Sequence, residues 1–222
     1  MANETLSPSQ AQSIIEQASS VMSVTNNAIV AKNEEFIDKL SHIWEDENAV
    51  TYVGKHKVNF DQLLQELQKN TQTFADTVKD IADGYARVAG NSVSINAVLG
   101  KSVGVVDVAK ISNFFADGEG GDEFGFRNPE SGASQVMDAF DALKSQVTAI
   151  ASEAVERIQS INAFGNQTVI ANLAKSAGKV VQIVEDHINE ASQQISQYVE
   201  QTAQSYIKLG TSAETAANLS SN

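Results

Sequence analysis

Apolar residues recur along much of this chain in steps of three and four, the spacing that places them on one face of an α-helix. The first such stretch has an explicit start. Ser7 suits an N-cap, Pro8 the first helical position, and Gln10 the far corner of a capping box. Ile15, Ala18, Met22, Thr25, Ile29, Phe36, Leu40 and Ile43 then line one side, with Lys32 interrupting the stripe and its aliphatic stem able to lie along the seam. This helix is expected to run to Trp44. After Glu45-Asp46-Glu47, with Asp46 as N-cap, a second stripe runs through Phe60, Leu64, Leu67, Thr71, Phe74, Val78, Ile81, Tyr85 and Val88. Its alternation of fours and threes is a heptad seam, the pattern of helices packed nearly parallel or antiparallel. Gly90-Asn91 ends it.

Two further stripes follow a different middle. Val136, Phe140, Leu143, Val147, Ile150, Ala154, Ile158 and Ile161 mark a third helix from near Ser134. A turn-like cluster at Ala163-Phe164-Gly165-Asn166 breaks the period. A fourth helix then carries Ile170, Ala174, Ala177, Val181, Val184, Ile188, Ala191, Ile195, Tyr198, Thr202, Ser205 and Leu209, and Gly210 is expected to end it. Glycines interrupt the apolar run 98–115, which is readable as a short helix or an extended stretch, and an acidic loop ends at Pro129. The pattern predicts an all-α fold: two long antiparallel helical hairpins, packed as an elongated four-helix bundle, with an irregular Gly-rich connector. The first hairpin spans 6–90, the connector and acidic loop 91–131, the second hairpin 132–212, and a disordered tail 213–222. Each stripe must be buried, either against the other hairpin in a monomeric bundle or against a second chain in a homodimer.

Composition agrees with helix and removes several function classes. Two prolines and 6% aromatic residues are few for a β-sandwich. A net charge of −13 argues against a nucleic-acid partner and against docking on an anionic membrane by charge. The chain has no cysteine, hence no disulfide and no zinc-thiolate site. No run approaches the roughly 20 apolar residues needed to span a bilayer, so no membrane insertion is expected. The first residues, Met1 to Leu6, lack the basic and apolar regions of a secretory signal peptide, so export would need a route that reads folded helices.

Nothing resembles a catalytic constellation, a cofactor loop or a committed metal site, and none is assigned. His42 and His56 flank the first turn without a convincing third ligand. His187 precedes Glu190 by three, but a helical di-metal site needs two such motifs. Solvated surface histidine is the reading adopted. Asp117 to Glu123 mixes carboxylates with glycines but lacks the alternating acids of an EF-hand loop, so it reads as an acidic loop. Trp44, the sole tryptophan, sits at a helix-to-helix turn. It suits a plug that closes the open end of the hairpin, or an exposed anchor for another protein.

The segment from Phe36 through Trp44-Glu45-Asp46, then Ala49, Tyr52 and the heptad helix to Tyr85, resembles the WXG family of type VII secretion. In that family a Trp-x-Gly turn joins two long antiparallel helices, and two hairpins associate. The resemblance covers 6–90 closely and 133–212 loosely, with Phe164-Gly165 near the second turn, so the chain looks like a fused tandem pair. Asp46 stands where the family has glycine, which requires a capped turn instead of one made by a positive-φ residue. The family's Tyr-x-x-x-acid export signal is not matched: Tyr198 is followed by Thr202, Tyr206 by Gly210 and Tyr85 by Ala89. The resemblance implies a non-enzymatic, secreted or co-secreted protein-binding module. Its helical faces would engage secretion machinery, a co-secreted protein or itself, and its turn motif would comprise Trp44, Asp46, Phe164 and Gly165. Two other readings are a cytoplasmic helical adaptor or assembly protein and an α-helical pore-forming toxin that inserts 98–115.

Overall fold

The computed structural model describes residues 6–92, 94–99, 125–161 and 179–220, the side chains of 206 and 209–220 excepted. The fold is all-α. Among the described residues there are four helices, α1 (Pro8–Ser41), α2 (Glu47–Val88), α3 (Gly132–Gln159) and α4 (Lys179–Ser220), and a single isolated bridge in place of any strand. The turn candidate Phe164-Gly165 and the acidic loop 117–123 lie outside the described residues, as does most of the apolar run 98–115.

Local signals explain where the helices begin and end. The Ser7 amide donates to Gln10 Oε1 (3.0 Å) and the Gln10 amide donates to Ser7 Oγ (3.2 Å), a reciprocal capping box. Gly90, at φ +73°, follows the end of α2, and the Asn91 amide returns to the Ala86 carbonyl. At the other end of the chain the expectation of a helix stop at Gly210 and a disordered tail needs correcting. α4 runs through Gly210 to Ser220. One helical glycine costs only about 1 kcal/mol relative to alanine, and the Ala-rich stretch beyond it favours continuation.

The chain forms two compact units, and the division cuts across the hairpins instead of between them. The first unit comprises Met1–Val30, Asp61–Val105 and Val147–Asp186. The second comprises Ala31–Phe60, Val106–Gln146 and His187–Asn222. Each therefore contains segments of all four helices, and in each the stripes of one hairpin are buried against those of the other. The first unit has an aliphatic core, including Ile14, Ile15, Leu63, Leu64, Leu67, Val78, Val147, Ile158 and Val184, with Phe74 beside it. The second is built around rings: Phe36, Trp44, Tyr52, His56, Phe60, Phe126, Phe140 and Tyr198 are all buried.

Among the described residues the stripes hold with local shifts, except that Ser205 is exposed; Ile170, Ala174, Ala177 and the side chain of Leu209 in the fourth stripe lie outside the described residues. Val180 and Ala151 take the fully buried positions, while Val181 and Ile150 are half-buried. Toward the end of α2, Tyr85 is half-buried and Val88 is 90% exposed. The inward residue at the break in the α1 stripe is Asn33, fully buried, whereas the half-buried Lys32 pairs with Glu35.

Candidate functional site

The best-defined polar and aromatic constellation lies in the second unit, at the turn between α1 and α2. The Ile43 and Trp44 amides both return to the Leu40 carbonyl, which tightens the chain as α1 ends. Asp46 then caps α2. Its Oδ1 accepts from the Ala49 amide at 2.7 Å, satisfying one of the free N–H groups at the helix start. The other oxygen, Oδ2, accepts from the Thr202 hydroxyl of α4 at 2.8 Å, and Asn48 donates to Thr202 Oγ1 at 3.1 Å. A carboxylate at the glycine position of the resembled motif thus caps one helix and ties it to another.

Residues 125–127 close over the turn. The Glu45 amide donates to the Gly125 carbonyl and the Arg127 amide to the Ile43 carbonyl, forming the isolated antiparallel bridge, and the Arg127 guanidinium pairs with the Glu45 carboxylate. Gly125, at φ +94°, takes the left-handed conformation that glycine tolerates. This bridge drops Phe126 onto Trp44, with ring centroids 5.7 Å apart, while Tyr52 stacks at 5.9 Å and 25°. Phe126 in turn needs Gly132 beneath it, because a Cβ at 132 would lie 2.2 Å from the Phe126 Cβ. Trp44 is fully buried, so it is the plug of the turn, and the reading as an exposed anchor is corrected. Its indole N–H has no hydrogen-bond partner among the described residues. Leaving a buried donor unmade costs about 1–3 kcal/mol, which the surrounding ring contacts must outweigh.

Behind Trp44 lies a buried hydrogen-bond chain that stripe reading missed. The imidazole of His56 lies 3.0 Å from the Tyr52 hydroxyl through Nδ1 and 2.9 Å from Asn33 Oδ1 through Nε2. An amide oxygen can only accept, so Nε2 carries the proton, and Nδ1 accepts from the Tyr52 O–H. Burial lowers the His56 pKa to about 3 and raises that of Tyr52 well above its ordinary value, so both groups are neutral in the fold. Phe36 and Phe60 flank the imidazole at 5.0 and 4.5 Å. A second polar pair joins α2 to α4. His187 Nδ1 donates to Asn59 Oδ1 at 2.8 Å, and Asn59 Nδ2 donates back to the His187 carbonyl at 3.3 Å.

These placements revise the reading of the histidines. His42 is exposed, but His56 and His187 are buried and hydrogen-bonded. The signal was present in the sequence: the α2 stripe extends back from Phe60 by fours to His56 and Tyr52. His42 and His56 do not share a site, and Glu190 is exposed and bonded to Gln194. Among the described residues no cluster of three or more His, Asp or Glu could hold a metal ion, and no helix is long and apolar enough to cross a membrane. A neutral imidazole sealed between a phenol and an amide suits specific packing, not proton transfer to a ligand. Compared with protein-family models, curated proteins and solved structures, the chain matches none.

Proposed function

We propose that the chain is a non-enzymatic helical binding module of a type VII, WXG-type secretion pathway, exported or co-exported through recognition of its folded helices. The observation that carries this reading is the turn at Trp44, which joins two long helices and is capped by Asp46 Oδ1 at 2.7 Å. The carboxylate supplies by capping what the family's glycine supplies by conformation, so the departure at that position is compatible with the hairpin. The partner would bind an outer helical face, because the apolar stripes of the two hairpins already cover each other in each unit. Expression in a host with a type VII system, with and without its secretion ATPase, tests the proposal. The protein is expected in the medium only when the ATPase is present, and an unchanged amount in the medium without it would refute export by this route.

A second reading, a cytoplasmic helical adaptor, is favoured by one observation. Thr202, which stands four residues after Tyr198 where an acid would complete an export signal, is buried and bonded to Asp46. A stable complex that stays with the cells in both strains would select it.

A further inference from the structure

In the first unit, residues 94–99 run without helix or strand along α1 and α2, and two glutamines hold their main chain. From α1, Gln12 Oε1 accepts from the Asn96 amide at 3.0 Å, and Gln12 Nε2 donates to the Asn96 carbonyl at 3.5 Å. From α2, Gln72 Oε1 accepts from the Leu99 amide at 3.1 Å, and its Nε2 donates to the Ala97 carbonyl at 2.7 Å. Both side chains therefore do what a neighbouring β-strand does, offering an acceptor and a donor to an extended backbone.

The device is built the same way twice. An acid four residues on accepts from each glutamine amide, Glu16 from Gln12 and Asp76 from Gln72, both at 2.9 Å. An acid can only accept from the NH2 end, so each pair turns Oε1 toward the segment's N–H groups. The contacts read main chain and leave side-chain identity almost free. Only Ile95 and Ala97 are buried, while Val98 is 80% exposed. A cleft of about 470 Å³ runs beside the segment along α1, between Gln12 and Val24. A cavity of about 40 Å³ is lined by Met22, Asn26, Gln68, Thr71 and Leu99. Asn26 is 4% exposed there, and its Oδ1 is buried without a hydrogen-bond partner among the described residues.

We infer that this groove is a docking site for an extended peptide segment with small apolar residues at alternate positions, and that residues 94–99 are its built-in occupant. The occupant's chemistry is read from the segment that sits there: main-chain amides for the two glutamines, and an Ile-x-Ala spacing for the two buried side chains. Being tethered, residues 94–99 compete at an effective concentration of the order of millimolar. A peptide in trans therefore binds well only when the resident segment is weakened or displaced. The inference rests on geometry in the first unit alone and stands whether or not the chain is exported.

The probe is the acetylated, amidated peptide of residues 94–99 carrying a fluorophore, followed by anisotropy. The combined Ile95→Asp and Ala97→Asp variant should release the resident segment and bind the probe at least tenfold more tightly than the unaltered chain. Adding Gln12→Ala and Gln72→Ala should remove that gain. Absence of binding to the released variant, or binding indifferent to the glutamines, overturns the inference. If the released variant loses its helical circular dichroism, hydrogen exchange on the unaltered chain decides. Millimolar peptide should speed exchange at the Asn96 and Leu99 amides at least tenfold, and unchanged rates overturn the inference.

Discussion

The two units take the same heptad stripes and make different interiors from them. In the first, the buried Thr25 and Thr71 hydroxyls donate to carbonyls four residues back in their own helices, so they say nothing about which helix lies opposite. In the second, Asn33, His56, Asn59, His187 and Thr202 are buried and bonded across helices, and Asp46 reaches α4 through Thr202. Aliphatic surface is tolerant of small slips along a helix, whereas a buried hydrogen bond lost by a slip leaves its partner unsatisfied. The second unit therefore specifies helix register. The first unit is held mainly by apolar area, and it is there that a backbone-reading groove is found.

The largest test of this contrast removes a ring from each interior. Trp44→Ala should cost about 3–5 kcal/mol in urea unfolding followed by circular dichroism, because a fully buried indole leaves a cavity that fixed neighbours cannot fill. Phe74→Ala should cost less, near the lower end of that range. Phe74 is 7% exposed and already borders a small cavity with Met22, Ile158 and Val180. A Phe74 loss equal to or larger than that of Trp44 would break the comparison.

Acid should next single out the second unit. The pKa of His56 is lowered in the fold to about 3, against 6.5 in an unfolded chain, so unfolding takes up a proton once the pH falls below about 6.5. The stability contributed by neutral His56 is fully present above pH 6.5 and is lost progressively as the pH falls toward 3. At pH 5 the loss should be about 2 kcal/mol relative to pH 7. His56→Gln, which cannot titrate, should show a stability curve flatter by that amount over the same range, and equal slopes would refute the assignment. The smallest effect sharpens the role of the turn. Asp46→Ala should cost about 1–2 kcal/mol through the lost cap and the lost Thr202 bond. A double-mutant cycle with Thr202→Val should show coupling, and strict additivity would mean that the cap acts on α2 alone.

The sequence by itself determined the class of fold, three of the helix starts and the turn between the first two helices. Those features follow from side-chain periodicity and capping chemistry, which act within a few residues. The cap at Asp46, the Ser7–Gln10 box and the stop at Gly90 were all legible for that reason. What lay opposite each stripe was not. A heptad seam announces that a face is buried without naming its partner, since aliphatic surfaces are nearly interchangeable. Only the tertiary structure brought Phe126 over Trp44, turned His56 and His187 inward, and placed Gln12 and Gln72 on one extended segment from opposite helices. Those arrangements depend on contacts between residues as many as 156 positions apart, as between Asp46 and Thr202, and a local pattern carries no record of such distances.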